Sequence, residues 1–187
     1  MAEALLSGII QQELINKENI WVTNRSNEQK LKDIHDQYGV NISYDQKELL
    51  KGAEMVILAM KPKDVASAVE QIKPYLTDQM MIVSLLAGVS IASIEMLAER
   101  PIPVIRAMPN TSAAIGQSAT GVAVNDKVSD KQMELVKSMF DTVGLTAFVE
   151  EKQLDAVTGL SGSGPAYIYY LIEAMEKGAS ELGLEPE

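Results

Sequence analysis

Six consecutive apolar residues, Met55 through Met60, run straight into Lys61-Pro62, and a helical pattern begins at once. An apolar run this short, bounded by turn chemistry, reads as a strand buried on both faces. Pro62 has no amide hydrogen to give a ladder, and its fixed φ suits a first helical turn, so the strand must end before it. Beyond it Val65, Val69, Ile72 and Leu76 recur on one helical stripe. A buried strand, a tight turn and an amphipathic helix restrict the chain to an open α/β sheet, whose ligands collect at the carboxyl ends of the strands. Ala59, Met60, Lys61 and Pro62 are therefore the first candidate contacts.

The same unit recurs along the chain. Leu6, Ile10 and Leu14 mark a helix over 2–15, and 19–24 reads as a short strand. A helix over 28–38, capped by Ser26 or Asn27, places Leu31, Ile34 and Tyr38 inward and stops at Gly39. A strand over 40–44 leads to a short helix capped by Asp45. Further strands are expected at 80–86, 104–108, 119–124 and 145–149, with 111–118 as a small, polar loop. Helices start at Ser90 or Ser93 and at Ser129, the second with Met133, Val136, Phe140 and Val143 on one side. From Gln153 the chain turns helical, broken by Leu160-Ser161-Gly162-Ser163-Gly164-Pro165, where Ser163 is the expected cap of a long helix. Residues 166–175 are apolar nearly all round, the pattern of a helix buried on every side. An acidic tail, 185–187, follows. Alternating strands and helices mean a mostly parallel, Rossmann-like sheet over 1–150. The switch to helix makes 151–187 the beginning of a separate all-helical domain.

Composition narrows the function. A formal charge of −10 argues against a nucleic-acid partner, which requires a basic face. The chain has no cysteine, so it offers no disulfide and no thiolate nucleophile, and no metal site is expected. No apolar run approaches a membrane span, and no basic leader precedes an apolar segment. A cytoplasmic enzyme is expected. His35, among Asp33, Asp36 and Gln37, reads as a surface residue, and Glu150 and Glu151 as solvated positions rather than general acids.

The Gly-x-Gly-x-x-Gly fingerprint of a dinucleotide fold is missing. Its discriminating residue follows about 20 positions later, at the end of the second strand. Asn24-Arg25 lies 22 residues after Ala2. The expectation is that the first strand and both leading glycines belong before residue 1. Where NAD-specific proteins place an acid, Asn24, Arg25 and Ser26 offer donors to a 2′-phosphate, the NADP choice. The same triplet also reads as a polar turn capping the next helix.

Four segments then stand in register: Ala59-Met60-Lys61-Pro62, Ser84-Leu85-Leu86-Ala87-Gly88, Arg106-Ala107-Met108-Pro109-Asn110-Thr111, and Leu160 through Tyr167. In this order and at these intervals they resemble pyrroline-5-carboxylate reductases, which catalyse the last step of proline biosynthesis. The resemblance implies NADPH as cofactor, with NADH possible, and a small imine carboxylate as substrate. It implies a homodimer or higher homo-oligomer built through the C-terminal helices. It makes Asn24, Arg25 and Ser26 the adenosine-phosphate contact and Gln46 a contact near the adenine ribose. Ala59, Met60, Lys61 and Pro62 would touch the nicotinamide-side ribose, largely through backbone. Leu85, Leu86 and Ala87 would line the nicotinamide pocket. The substrate loop of that family lies in a C-terminal part that this chain does not reach, so no catalytic residue is assigned. The chain is accordingly expected to be marginally stable and impaired in turnover. Two alternatives are a non-catalytic NADPH-binding module and a related Rossmann dehydrogenase acting on a 3-hydroxy acid.

Overall fold

The computed structural model describes residues 1–184; the acidic tail expected at 185–187 lies outside them. Among the described residues the strands form two ladders. The smaller pairs β1 (Trp21–Val22) in parallel with β2 (Asn41–Ile42). The larger runs in the order β3 (Met55–Leu58), β4 (Met81–Ser84), β5 (Val104–Met108), β6 (Ser118–Val124), β7 (Gly144–Phe148). All pairings are parallel except β5 with β6, so the sheet is mostly parallel, as expected.

Side-chain alternation distributes the core between two helical layers. Ile82 of β4 and Val104 of β5 pack with α3 (Gln46–Leu49), α4 (Val65–Ile72) and α5 (Ile91–Ala98). Met81, Val83, Ile105 and Ala107 face the opposite way, against α1 (Ala2–Gln11) and α6 (Asp130–Asp141). The predicted stripe Val65, Val69, Ile72 and Leu76 is wholly buried. The helix over 28–38 forms as α2 (Glu28–Tyr38), with Asn27 accepting from the Lys30 amide and Gly39 in the left-handed conformation that ends a helix. Ser90 caps α5, and Ser129 forms a reciprocal capping box with Gln132 on α6.

Several expectations are corrected. Strand β3 is not buried on both faces, because Ile57 is 37% exposed. Among the described residues only β4 pairs with β3, so one edge and part of a face stay open there. The strand over 19–24 shrinks to two residues behind a 3-10 turn, Lys17–Asn19. The loop after β5 contains a 3-10 turn, Thr111–Ile115. The apolar helix forms as α8 (Gly164–Glu181), but its large side chains are exposed rather than buried on every side. Its apolar surface has no cover from the other described residues. Ser163 stands at its N-cap position, yet its side chain makes no capping bond.

Candidate functional site

The carboxyl ends of β1, β3 and β4 are tied together by specific bonds. Past β1, the Asn24 Oδ1 accepts from the Asn27 amide at 2.8 Å and from the Tyr44 hydroxyl at 3.0 Å. Its Nδ2 donates to the Asn27 carbonyl at 2.7 Å. Asn24 is thus committed to shaping the turn and fastening it to the end of β2. Gln46 is half-buried at the start of α3, two residues after Tyr44. Arg25 reaches the next strand end, its Nη1 standing 3.2 Å from Asp64 Oδ1. Asp64 closes the 3-10 turn Pro62–Asp64 that Pro62 opens. The Arg25 side chain is 84% exposed, so this ion pair contributes little to stability and can exchange for an incoming anion. Ser26 is exposed beside it.

The Leu85 amide donates to the Leu58 carbonyl at 2.9 Å, carrying the β3–β4 pairing one step past β4. This sets Leu85 alongside Ala59. Ala59, Lys61 and Pro62 are exposed, whereas Met60 packs partly against the α4–α5 layer. Beyond β4 the side chains diverge. Leu85 turns partly into the α1–α6 layer, Leu86 is buried in the other, and Ala87 faces outward. Leu86 can therefore offer a ligand only its backbone, and its amide is taken by Ser84 Oγ at 3.3 Å. The predicted residues fall into two groups: Asn24, Arg25 and Ser26 with the Lys61–Pro62 turn, and Ala59 with Leu85 and Ala87.

The end of β5 holds residues that the sequence reading undervalued. Asn110 is buried and makes four bonds, two local and two to a distant segment: Nδ2 donates to the Ser161 carbonyl at 3.2 Å and to its hydroxyl at 3.4 Å, Oδ1 accepts from the Ser112 amide at 3.2 Å, and the backbone amide donates to Ser118 Oγ at 3.1 Å. Four residues earlier, Arg106 is nearly sealed and donates to Glu151 Oε1 at 2.7 Å. The same oxygen accepts the first amide of α5, from Ile91, at 2.7 Å. Glu151, expected to be solvated, is instead the shared anion of a buried guanidinium and a helix start. One signal pointed to it: Arg106 interrupts an otherwise apolar strand, and a buried cation requires an acidic partner.

Among the described residues no cluster of three His, Cys, Asp or Glu side chains could hold a metal ion. An open depression of about 570 Å³ lies between Lys47, Lys51, Tyr75 and Met80. It sits at the amino ends of β3 and β4, the wrong edge for an α/β ligand site.

Comparison with known proteins gives a consistent picture. Residues 1–88 match the family described as NADP oxidoreductase, coenzyme F420-dependent, and residues 151–187 match pyrroline-5-carboxylate reductase dimerisation. The chain is 45% identical over all 187 residues to pyrroline-5-carboxylate reductase 2 of Bacillus subtilis, spanning 67% of that protein. It is 41% identical to pyrroline-5-carboxylate reductase 1 of Bacillus spizizenii, spanning 63% of it. A solved pyrroline-5-carboxylate reductase from Coxiella burnetii superposes with a TM-score of 0.89 at 34% identity, over 98% of this chain and 68% of that one. The Plasmodium falciparum pyrroline carboxylate reductase with NADP bound gives 0.83 at 27% identity, over 98% and 66%. The chain thus spans about two thirds of the length of these relatives.

Proposed function

The chain belongs to the pyrroline-5-carboxylate reductase family, and we propose that it serves the NADPH-dependent reduction of 1-pyrroline-5-carboxylate to L-proline. The observation that carries this reading is the identity of 45% over the whole chain with a relative so named. A cytoplasmic setting goes with that biosynthetic role. Residues 1–150 would form the cofactor domain, and 151–187 the start of the helical dimerisation and substrate domain.

NADPH supplies the hydride that reduces the imine carbon. The residues at the strand ends fit such a group. Arg25 is a planar cation at the position where an NAD-specific fold would carry an acid, and its own exposure leaves its pair with the half-buried Asp64 exchangeable. Its guanidinium and the Ser26 hydroxyl would take the 2′-phosphate. Asn24 keeps their turn rigid through three internal bonds, and Gln46 would lie toward the adenine ribose. The backbone of Ala59, Met60, Lys61 and Pro62 would hold the nicotinamide-side ribose. Leu85, Leu86 and Ala87 would line the ring, the first two anchored from behind by the core. The imine nitrogen is basic enough to be protonated in solution. The chain's part is therefore to orient and exclude water, with no side chain assigned to proton transfer.

The exposed face of α8, carrying Tyr167, Ile168, Tyr170 and Leu171, would be covered by a second copy of the chain. A contiguous apolar surface of this kind marks an association site.

The test is direct. Purified protein is given 1-pyrroline-5-carboxylate and NADPH, and loss of reduced nicotinamide is followed together with proline formed. One proline per NADPH consumed supports the reading. Slow turnover at that ratio fits the impairment expected of this chain, whereas saturable NADPH binding with no proline formed at any enzyme concentration would refute the reading and leave a binding module.

A further inference from the structure

The segment that leads into α8 has unusual geometry. Between α7 (Leu154–Val157) and α8 the chain forms one π-helical turn, Thr158–Gly162, closed by the Ser163 amide donating to the Thr158 carbonyl at 2.8 Å. Turns of this kind are rare, and they concentrate at functional sites. This one is fastened to the sheet from outside. Asn110, at the carboxyl end of β5, gives both Nδ2 bonds to Ser161, and the Ser161 hydroxyl donates to the Ala119 carbonyl at 3.1 Å. Gly162 lies against the Met108 side chain, and Gly121 leaves the space that Val157 fills. Arg106 and Glu151 pin the other end of the same segment.

We propose that Asn110 is a positioning residue, whose side-chain amide clamps the π-helical turn Thr158–Gly162 to the end of β5 and so fixes where α8 leaves the carboxyl edge of the sheet. The proposal rests on the reductase reading for its kinetic consequence only. The geometry separates two roles within one side chain. Oδ1 supports the local turn through the Ser112 amide, while Nδ2 alone makes the clamp. Asn110→Asp keeps the first role and presents an oxygen to the Ser161 carbonyl in place of the donor. Ser161→Ala keeps the bond to the Ser161 carbonyl and loses only the hydroxyl contacts.

The experiment measures amide hydrogen exchange at Ser163 and steady-state turnover in the full chain and its Asn110→Asp, Asn110→Ala and Ser161→Ala variants. A clamp predicts that both Asn110 variants exchange at Ser163 about tenfold faster or more, and Ser161→Ala less so but in the same direction. It predicts kcat lower by about 10 to 100-fold in the Asn110 variants, because small misplacements of a reacting centre have effects of that size. NADPH affinity, set at the β1 and β3 ends, should stay within about twofold. Wild-type exchange and kcat in Asn110→Asp would overturn the clamp and leave Asn110 a turn cap. A fall in kcat without faster exchange at Ser163 would also overturn it. If the unaltered chain makes no proline, the reductase reading fails, and exchange at Ser163 still decides the clamp.

Discussion

Removing the carboxylate of Glu151 should destabilise the protein far more than its half-exposed position implies. Its Oε1 is the acceptor for two donors at once, Arg106 Nη1 and the Ile91 amide, each at 2.7 Å. The Arg106 side chain is 7% exposed, so the guanidinium left behind has little access to water, whereas the Glu151 side chain is 34% exposed. Breaking a fully buried pair costs about 3–5 kcal/mol, and the partial exposure of Glu151 reduces that to about 2–3 kcal/mol. Loss of the anion at the start of α5 adds about 0.5–1 kcal/mol. Glu151→Ala is therefore expected to cost about 3 kcal/mol. Arg106→Met should cost less, about 1–2 kcal/mol, since the remaining carboxylate can hydrate and still accept from Ile91. Combined, the two changes should cost less than their sum by at least 1 kcal/mol, the mark of a direct pair. Urea unfolding followed by circular dichroism on the four proteins of the cycle measures this. A Glu151→Ala protein within about 0.5 kcal/mol of the parent, or costs that simply add, would refute the reasoning.

Other consequences are open to measurement. Gly144 begins β7 with φ 150°, and a Cβ there would stand 2.0 Å from the Ser118 carbonyl oxygen. Gly144→Ala should lower stability by about 2 kcal/mol or more in chemical unfolding, and a neutral result would mean that the β6–β7 start is not as close as described. On α8, Ile168→Glu should convert an associated wild-type protein into monomer in sedimentation velocity while leaving NADPH affinity unchanged; a wild type that sediments as monomer at every concentration would sink the interface. At Asp141, burial pushes the carboxyl up, but the Lys137 ammonium bonded to it works the other way, and the carboxyl stays below the usual carboxylate range. A depressed carboxyl contributes stability above its unfolded pKa, near about 4, which is lost as pH falls through the folded value. Lys137→Met should flatten that acid limb of the stability profile, and an unchanged limb would remove the pair as its source.

Much of this fold was legible because local signals and the tertiary structure agree. Gly39 and Ser129 announced their helix ends by chemistry that works within a few residues, the caps at Asn27 and Ser90 were narrowed to one of two neighbours, and Val104 through Met108 announced a strand. What stayed hidden depends on neighbours. The run from Met55 to Met60 looks like any central strand, and nothing in it says that Ile57 faces an open edge. Residues 166–175 carry the composition of a buried helix, but composition does not say whether the cover comes from the same chain. At the candidate site the backbone positions of Ala59, Lys61, Pro62 and Ala87 follow from strand ends alone. The inward turn of Leu86 does not, since consecutive leucines at a strand end read alike. Glu151 was misjudged and Asn110 was given no role for the same reason: their partners lie 45 and 51 residues away, a separation across which spacing carries no information.

We propose that the β1 and β3 ends read the phosphate of NADPH through Arg25. Trp21, 39% exposed at the start of β1 and three residues before Asn24, is a built-in reporter. Titrating the chain and its Arg25→Ala variant with NADPH and NADH, and following energy transfer from Trp21 to the reduced nicotinamide, measures both affinities. Charge-assisted bonds of about 1.5–3 kcal/mol correspond to about 10 to 100-fold in affinity. The account predicts saturable transfer that favours NADPH over NADH by that factor in the parent, and no preference in Arg25→Ala with NADH unaffected. Equal affinity for the two cofactors in the parent, or a preference that survives loss of Arg25, would contradict it.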